Sequence, residues 1–162
     1  MIYIVCGVAG TGKSTVGKLL ADRLKLPFYD ADDYHSEKNI QKMADGIALN
    51  DHDRVTWLKQ LSTQICNWER KGGAVLACSA LKASYRELLV SCTISNIQWI
   101  ALEGSEDLIL SRLNSRTGHF FSKELLGSQL QIYERPKEGW CFDVSHTVQD
   151  IVNSVTKKLI HP

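Results

Sequence analysis

The sequence lacks an excess of charge of either sign. Its 162 residues carry 19 Lys and Arg against 18 Asp and Glu, a formal charge of +1. No basic run stands out, so nothing supports a protein that holds nucleic acid by bulk charge. A long apolar run is missing too: none approaches the ~18 residues of a membrane span. The five cysteines, Cys6, Cys66, Cys78, Cys92 and Cys141, are odd in number and form no CxxC pair. Three of them (Cys6, Cys78 and Cys141) sit in apolar surroundings. The expectation is small buried hydrophobes in a reducing compartment, not a disulfide framework or a zinc site. No signal-like segment precedes the first apolar run, and a cytoplasmic protein is expected. Repeats, low-complexity stretches and linkers are absent. With about 150 residues as the usual domain length, one domain over 1–162 is expected. What is present is globular composition: 44% hydrophobic and 23% charged residues argue against disorder.

Apolar runs and helical patterns alternate along the chain. Ile2-Tyr3-Ile4-Val5-Cys6 reads as a strand buried on both faces. A glycine-rich turn follows, then a helix with Val16, Leu19, Leu20 and Leu24 on one face, ended by Leu26-Pro27. Phe28-Tyr29-Asp30 is a brief second strand, and residues 31–52 read as loop with short helix. A long helix is expected from Asp53 to about Lys71, stopped by Gly72-Gly73. Further strands are expected at Ala74–Ser79, Ile97–Leu102 and Cys141–Val144. Helices are expected from Leu81 to about Ser91, after Ser105, from about Ser122 to Tyr133, and after Thr147. Residues 116–121, with two adjacent phenylalanines beside Gly118, suggest a movable flap. The alternation implies an α/β fold, a five-stranded parallel sheet flanked by helices.

The turn after the first strand is Gly7-Val8-Ala9-Gly10-Thr11-Gly12-Lys13-Ser14-Thr15, which fits G-x-x-x-x-G-K-[ST]. Glycines let successive backbone N–H groups face inward, and the next helix adds its positive end. Lys13 then reaches the β- and γ-phosphates, and Ser14 holds Mg²⁺. Asp30-Ala31-Asp32 leaves the second strand at the carboxyl edge of the sheet, where ligands of such sheets bind. Alternation on an extended segment would put both carboxylates on one side. One carboxylate can hold a Mg²⁺-bound water, and the other can accept the proton of an attacking hydroxyl.

These motifs sit within a longer pattern: Asp30-x-Asp32-x-x-His35, Asn39-x-x-Lys42-Met43-x-x-Gly46, Leu49-Asn50-Asp51-x-Asp53-Arg54 and Trp57-Leu58. Cys78-Ser79-Ala80-Leu81-Lys82, Tyr85-Arg86, Arg116-x-Gly118-His119-Phe120-Phe121 and Ser128-Gln129 continue it. In these blocks, which run to about residue 136, the sequence resembles the thermoresistant-type gluconate kinases. Those are small P-loop enzymes related to shikimate kinase and the nucleoside monophosphate kinases. Ala31 departs from the usual glycine and would tighten the substrate pocket. Ser36, Ala48 and Thr56 stand where proline is common.

The resemblance implies a P-loop fold and ATP-dependent phosphorylation of D-gluconate, with a substrate-binding segment at 31–70 and a lid over about 112–135. It also implies a homodimer, although no partner face is legible. Gluconate is a polyhydroxylated anion, so its pocket needs a cation and hydroxyl acceptors. Arg54 is the leading partner for the carboxylate, with Lys82 and Arg86 as further candidates on one helix face. Asp32 and His35 can bind hydroxyls, and Asp32 is the expected general base. Arg112 and Arg116 flank the flap and would meet adenine or the transferring phosphoryl group. Other readings stay open. Arg54 could pair with Asp51 or Asp53, Lys82 and Arg86 could be a solvated face, and His35 could be a helix-start residue. Trp57 reads as core. Another small-molecule kinase on this scaffold, or a P-loop module that holds nucleotide without transferring phosphate, are the rival functions.

Overall fold

The computed structural model describes residues 1–94, 97–115 and 123–160. Its strands are β1 (Ile2–Cys6), β2 (Phe28–Asp30), β3 (Ala74–Ala77), β4 (Ile97–Glu103) and β5 (Trp140–Asp143). The helices are α1 (Lys13–Leu24), α2 (Glu37–Ala44), α3 (Asp51–Arg70), α4 (Ala83–Leu89), α5 (Glu106–Asn114), α6 (Lys123–Ile132) and α7 (Val148–Ile160). A single 3-10 turn spans Ala31–Tyr34. The strands form one sheet in the order β2-β3-β1-β4-β5, and every pairing is parallel.

Side chains alternate across the central strand, so each face of the sheet has its own core. Ile2, Ile4 and Cys6 pack on one side with Leu58, Leu61 and Ile65 of α3. On the other side Val5 meets Val16 and Leu20 of α1 and Val152 and Val155 of α7. Parallel strands covered on both faces are apolar throughout, and that is why β1 and β3 are legible without a clean polar alternation.

Several boundaries move for local reasons. α3 begins at Asp51, two residues before the expected start. Asn50 Oδ1 accepts the Asp53 amide at 2.9 Å while Asp53 Oδ2 accepts the Asn50 amide at 3.1 Å. This reciprocal box satisfies donors that the helix itself leaves open. α4 is shorter than expected because Lys82 is its cap residue and lies outside the helix. The caps at Ser105 and Thr147 form as expected: Ser105 Oγ accepts from Leu108 and Thr147 Oγ1 from Asp150.

The cysteines depart from the expectation that most are small buried hydrophobes with no disulfide among them. Cys66 of α3 and Cys92 after α4 form a disulfide, with Cα atoms 6.2 Å apart and a sequence separation of 26. The packing of α3 on α4 brings them together, and no short spacing announces it. Cys6 and Cys78 are buried and unpaired, whereas Cys141 is exposed. Among the described residues no helix is long and apolar enough to cross a membrane.

Candidate active site

The glycine-rich turn joins β1 to α1 at the carboxyl edge of the sheet. Gly10 and Gly12 hold φ values of +81° and +89°, a left-handed region that costs other residues energy. Space adds a second constraint at Gly10, where a Cβ would sit 2.8 Å from Leu113 and 2.9 Å from Ile109. At Gly12 a Cβ would meet nothing within 4 Å, so the turn opens on that side. α1 starts without a side-chain cap. Its first amides and its positive end are therefore free for an anion. Thr11 builds the loop instead of facing the ligand side: it is buried, and its Oγ1 donates to the Val8 carbonyl at 2.8 Å. Lys13 Nζ donates to the same carbonyl at 3.1 Å. Burial lowers the Lys13 pKa, and nearby Asp32 is the largest influence holding it up.

Ser14 and Asp30, the two residues assigned to Mg²⁺ from the sequence, touch, with Ser14 Oγ donating to Asp30 Oδ2 at 2.5 Å. The geometry of Asp32 is different. The expected extended alternation does not occur, because the chain enters the 3-10 turn directly after Asp30. Asp30 Oδ1 caps that turn by accepting the Asp32 amide at 3.1 Å. The Asp32 side chain is 80% exposed, open to solvent beside the loop. The surrounding protein raises its carboxyl above the ordinary range, Lys13 pulls it back down, and Asp30 and Asp33 push it up again.

His35 follows Asp32 at the end of the 3-10 turn, and Arg54 stands in the first turn of α3. The His35 side chain is only 5% exposed, and its Nε2 lies 3.9 Å from Asp32 Oδ1. Its ring stacks on Trp57 at 4.2 Å, and its buried Nδ1 has no hydrogen-bond partner. Burial, then the Arg54 charge, push its pKa down to about 4, so the imidazole is neutral at pH 7. It also lines a cavity of about 380 Å³ between the 3-10 turn, α2 and α3. Trp57 is core, 3% exposed, with its indole N–H donated to the Ala31 carbonyl at 2.8 Å.

Arg54 is buried and donates to the Leu49 carbonyl, with Tyr85 Oη at 3.4 Å. It pairs with neither Asp51 nor Asp53. Asp53 is taken by Lys42 at 2.8 Å, and Asp51 by Lys82 at 2.9 Å and by the Tyr85 hydroxyl. Among the described residues no carboxylate lies within ion-pair distance of Arg54. Lys82 and Arg86 do not act as one basic face. Lys82 reaches across to α3, while Arg86 is buried and donates to the Ala80 carbonyl at 2.8 Å. Ala80 holds a φ of +42°, so Arg86 steadies a strained turn.

The shikimate kinase family model matches residues 9–154. A probable gluconokinase of Dictyostelium discoideum is 40% identical over 161 residues, covering 96% of this chain and 80% of that protein. The thermoresistant gluconokinase of Escherichia coli is 41% identical over 136 residues, covering 83% of this chain and 77% of that one. The crystal structure of a gluconokinase from Sinorhizobium meliloti superposes with a TM-score of 0.88. It has 36% identity and covers 98% of this chain and 91% of that one. The chain belongs to the gluconokinase family. Within the shikimate kinase-like P-loop kinases it shares the α/β architecture and sheet order described above.

Against the gluconokinase pattern, Ala31 does not tighten the pocket. Its side chain is 0% exposed and belongs to the core cluster with Trp57. Ser36, at a position where proline is common, caps α2 by accepting the Asn39 amide at 3.2 Å. Arg112 Nη2 donates to the Val144 carbonyl at 2.5 Å, which ties α5 to the segment after β5. Arg116 and the flap residues Gly118, His119, Phe120 and Phe121 lie outside the described residues. Gln129 is no site candidate on the sequence alone, yet its Oε1 accepts the Ala9 amide at 2.8 Å. Its one signal in the sequence is membership of the Ser128-Gln129 block.

Proposed function

We propose that this protein transfers the γ-phosphoryl group of ATP to D-gluconate, giving 6-phospho-D-gluconate by direct in-line displacement. The observation that carries the reading is the contact of Ser14 Oγ with Asp30 Oδ2 at 2.5 Å, which sets the end of β2 against the start of α1 beside the glycine-rich turn. Asp32 follows two residues on, and a base next to a phosphate-binding loop suits phosphoryl transfer to a hydroxyl. The gluconokinase relatives name the acceptor.

The uncapped N-terminus of α1, with the orphan amides of its first turn, fits a triphosphate. Ser14 and Asp30 present hard oxygen donors, which fit Mg²⁺. When bound, Mg²⁺ neutralises charge on the phosphate oxygens. Lys13 leaves the Val8 carbonyl and binds the transferring group. Asp32 takes the proton of the 6-hydroxyl as that oxygen bonds to phosphorus and the bond to the β-phosphate oxygen breaks. Arg54, buried with no carboxylate partner among the described residues, takes the gluconate carboxylate. His35, neutral and with Nδ1 unpartnered, is suited to a substrate hydroxyl. Lys82, held by Asp51 at the start of α3, is a further partner for the substrate, and Arg86 steadies the Ala80 turn next to it. Arg112 belongs to the nucleotide side. Arg116 joins the reading from the sequence alone, as do the 112–135 lid, the 31–70 substrate segment, the homodimer and the cytoplasmic location.

A coupled assay of ADP formation with gluconate, other sugar acids, shikimate, AMP and adenylyl sulfate tests the proposal. Gluconate is expected to give the highest kcat/KM. A preference for another acceptor, or ATP binding with no acceptor-dependent ADP release, overturns it.

A further inference from the structure

One peptide group in the nucleotide loop is gripped at both ends. The Val8 carbonyl accepts from Thr11 Oγ1 at 2.8 Å and from Lys13 Nζ at 3.1 Å. On the opposite side of the same peptide plane, the Ala9 N–H donates to Gln129 Oε1 at 2.8 Å. A peptide group is planar and trans, so holding its N–H also sets the direction of its C=O. Gln129 lies 120 residues further along the chain. It is rigidly carried, because Leu125 and Leu126 of α6 are 4% and 0% exposed, and Leu126 shares the core cluster of Val8.

We propose that Gln129 is a positioning residue for phosphoryl transfer, acting through the Val8–Ala9 peptide on Lys13. The inference rests on the kinase reading above. Glycines at 7, 10 and 12, all with positive φ, make the loop deformable. The Thr11 and Lys13 contacts with Val8 lie within the loop, whereas Gln129 holds this peptide from a separate, packed element. Its bond fixes where the Val8 oxygen points, and that oxygen is where Lys13 rests before nucleotide arrives. Without the acceptor the peptide is free to tilt, and the loop must be ordered again each time ATP binds. The cost falls on the nucleotide side of the reaction and leaves the gluconate pocket, built on β2, α3 and α4, untouched.

Gln129→Met keeps the side-chain length and removes the acceptor. Its Ala9 amide is expected to exchange with deuterium about tenfold faster than wild type in the nucleotide-free protein. The KM for ATP is expected to rise about tenfold, the scale of one lost hydrogen bond, with the KM for gluconate within about twofold of wild type. Gln129→Glu keeps an acceptor oxygen and is expected to restore protection of Ala9. Unchanged Ala9 exchange in Gln129→Met overturns the proposal. So does a parallel rise in both KM values with a lower Tm, which is the mark of a merely structural role for α6. The exchange measurement needs no catalysis. A wild-type protein that makes no ADP with gluconate refutes the kinase reading, while Ala9 exchange still reports the contact.

Discussion

Asp32 is open to solvent and stands among charges, with Lys13 pulling its carboxyl down and Asp30 and Asp33 pushing it up. Asp32→Asn is expected to lower kcat at least about 10²-fold, as loss of a general base does. The same variant is expected to keep ATP binding. Kinetics with calorimetry check both, and an active variant removes Asp32 from the base role. The pKa of His35 falls to about 4 on folding, so between about 6.5 and 4 the unfolded chain binds the extra proton. Stability is expected to drop as pH falls through that window, by at most on the order of 3 kcal/mol. Urea unfolding from pH 7 to 4 reads the slope, and His35→Gln is expected to remove most of it.

At the scale of elements, the start of α3 does more than begin a helix. Asn50 and Asp53 close the box, Asp51 holds Lys82 and Tyr85, and Arg54 projects one turn inside. Asn50→Ala is expected to cost about 1 kcal/mol of stability, the usual value of a lost cap. For a domain of this size that lowers Tm by about 2–4 °C. Because the cap also sets where Asp51 and Arg54 stand, the KM for gluconate is expected to rise while the KM for ATP stays near wild type. A Tm and a gluconate KM both equal to wild type would show the box to be dispensable. This element was half legible. The apolar face through Leu58, Leu61, Ile65 and Trp68 is visible as a helical stripe, and all four are buried. The first turn starts two residues before the sequence indicates, because Asn50 reads as loop and only its side-chain cap marks the helix start.

On the scale of the whole molecule, the sheet order places β1 in the centre with β3 and β4 on either side. The nucleotide loop therefore leaves the sheet beside the ends of β3 and β4, and Gly7 N donates to the Ser79 carbonyl at 3.3 Å. Nucleotide binding is expected to brace this centre. A non-hydrolysable ATP analogue at about 100 times its Kd adds about 2.7 kcal/mol of stability. The resulting rise in Tm is expected to disappear in Lys13→Ala, and thermal melts with and without the analogue check it.

The sequence by itself determined the fold class and the glycine-rich turn, because these depend on short-range order. Apolar runs make buried strands, periodic stripes make helices, and a loop between them stands at the sheet edge. What only the tertiary structure decided depends on partners far apart in the chain. Arg54 is spared by Asp51 and Asp53 because Lys82, Tyr85 and Lys42 reach them first. Arg86 turns inward to Ala80, Ala31 sinks beneath Trp57, Cys66 meets Cys92, and Gln129 reaches Ala9. In each case geometry chooses among several chemically acceptable partners, and spacing along the chain carries no record of that choice.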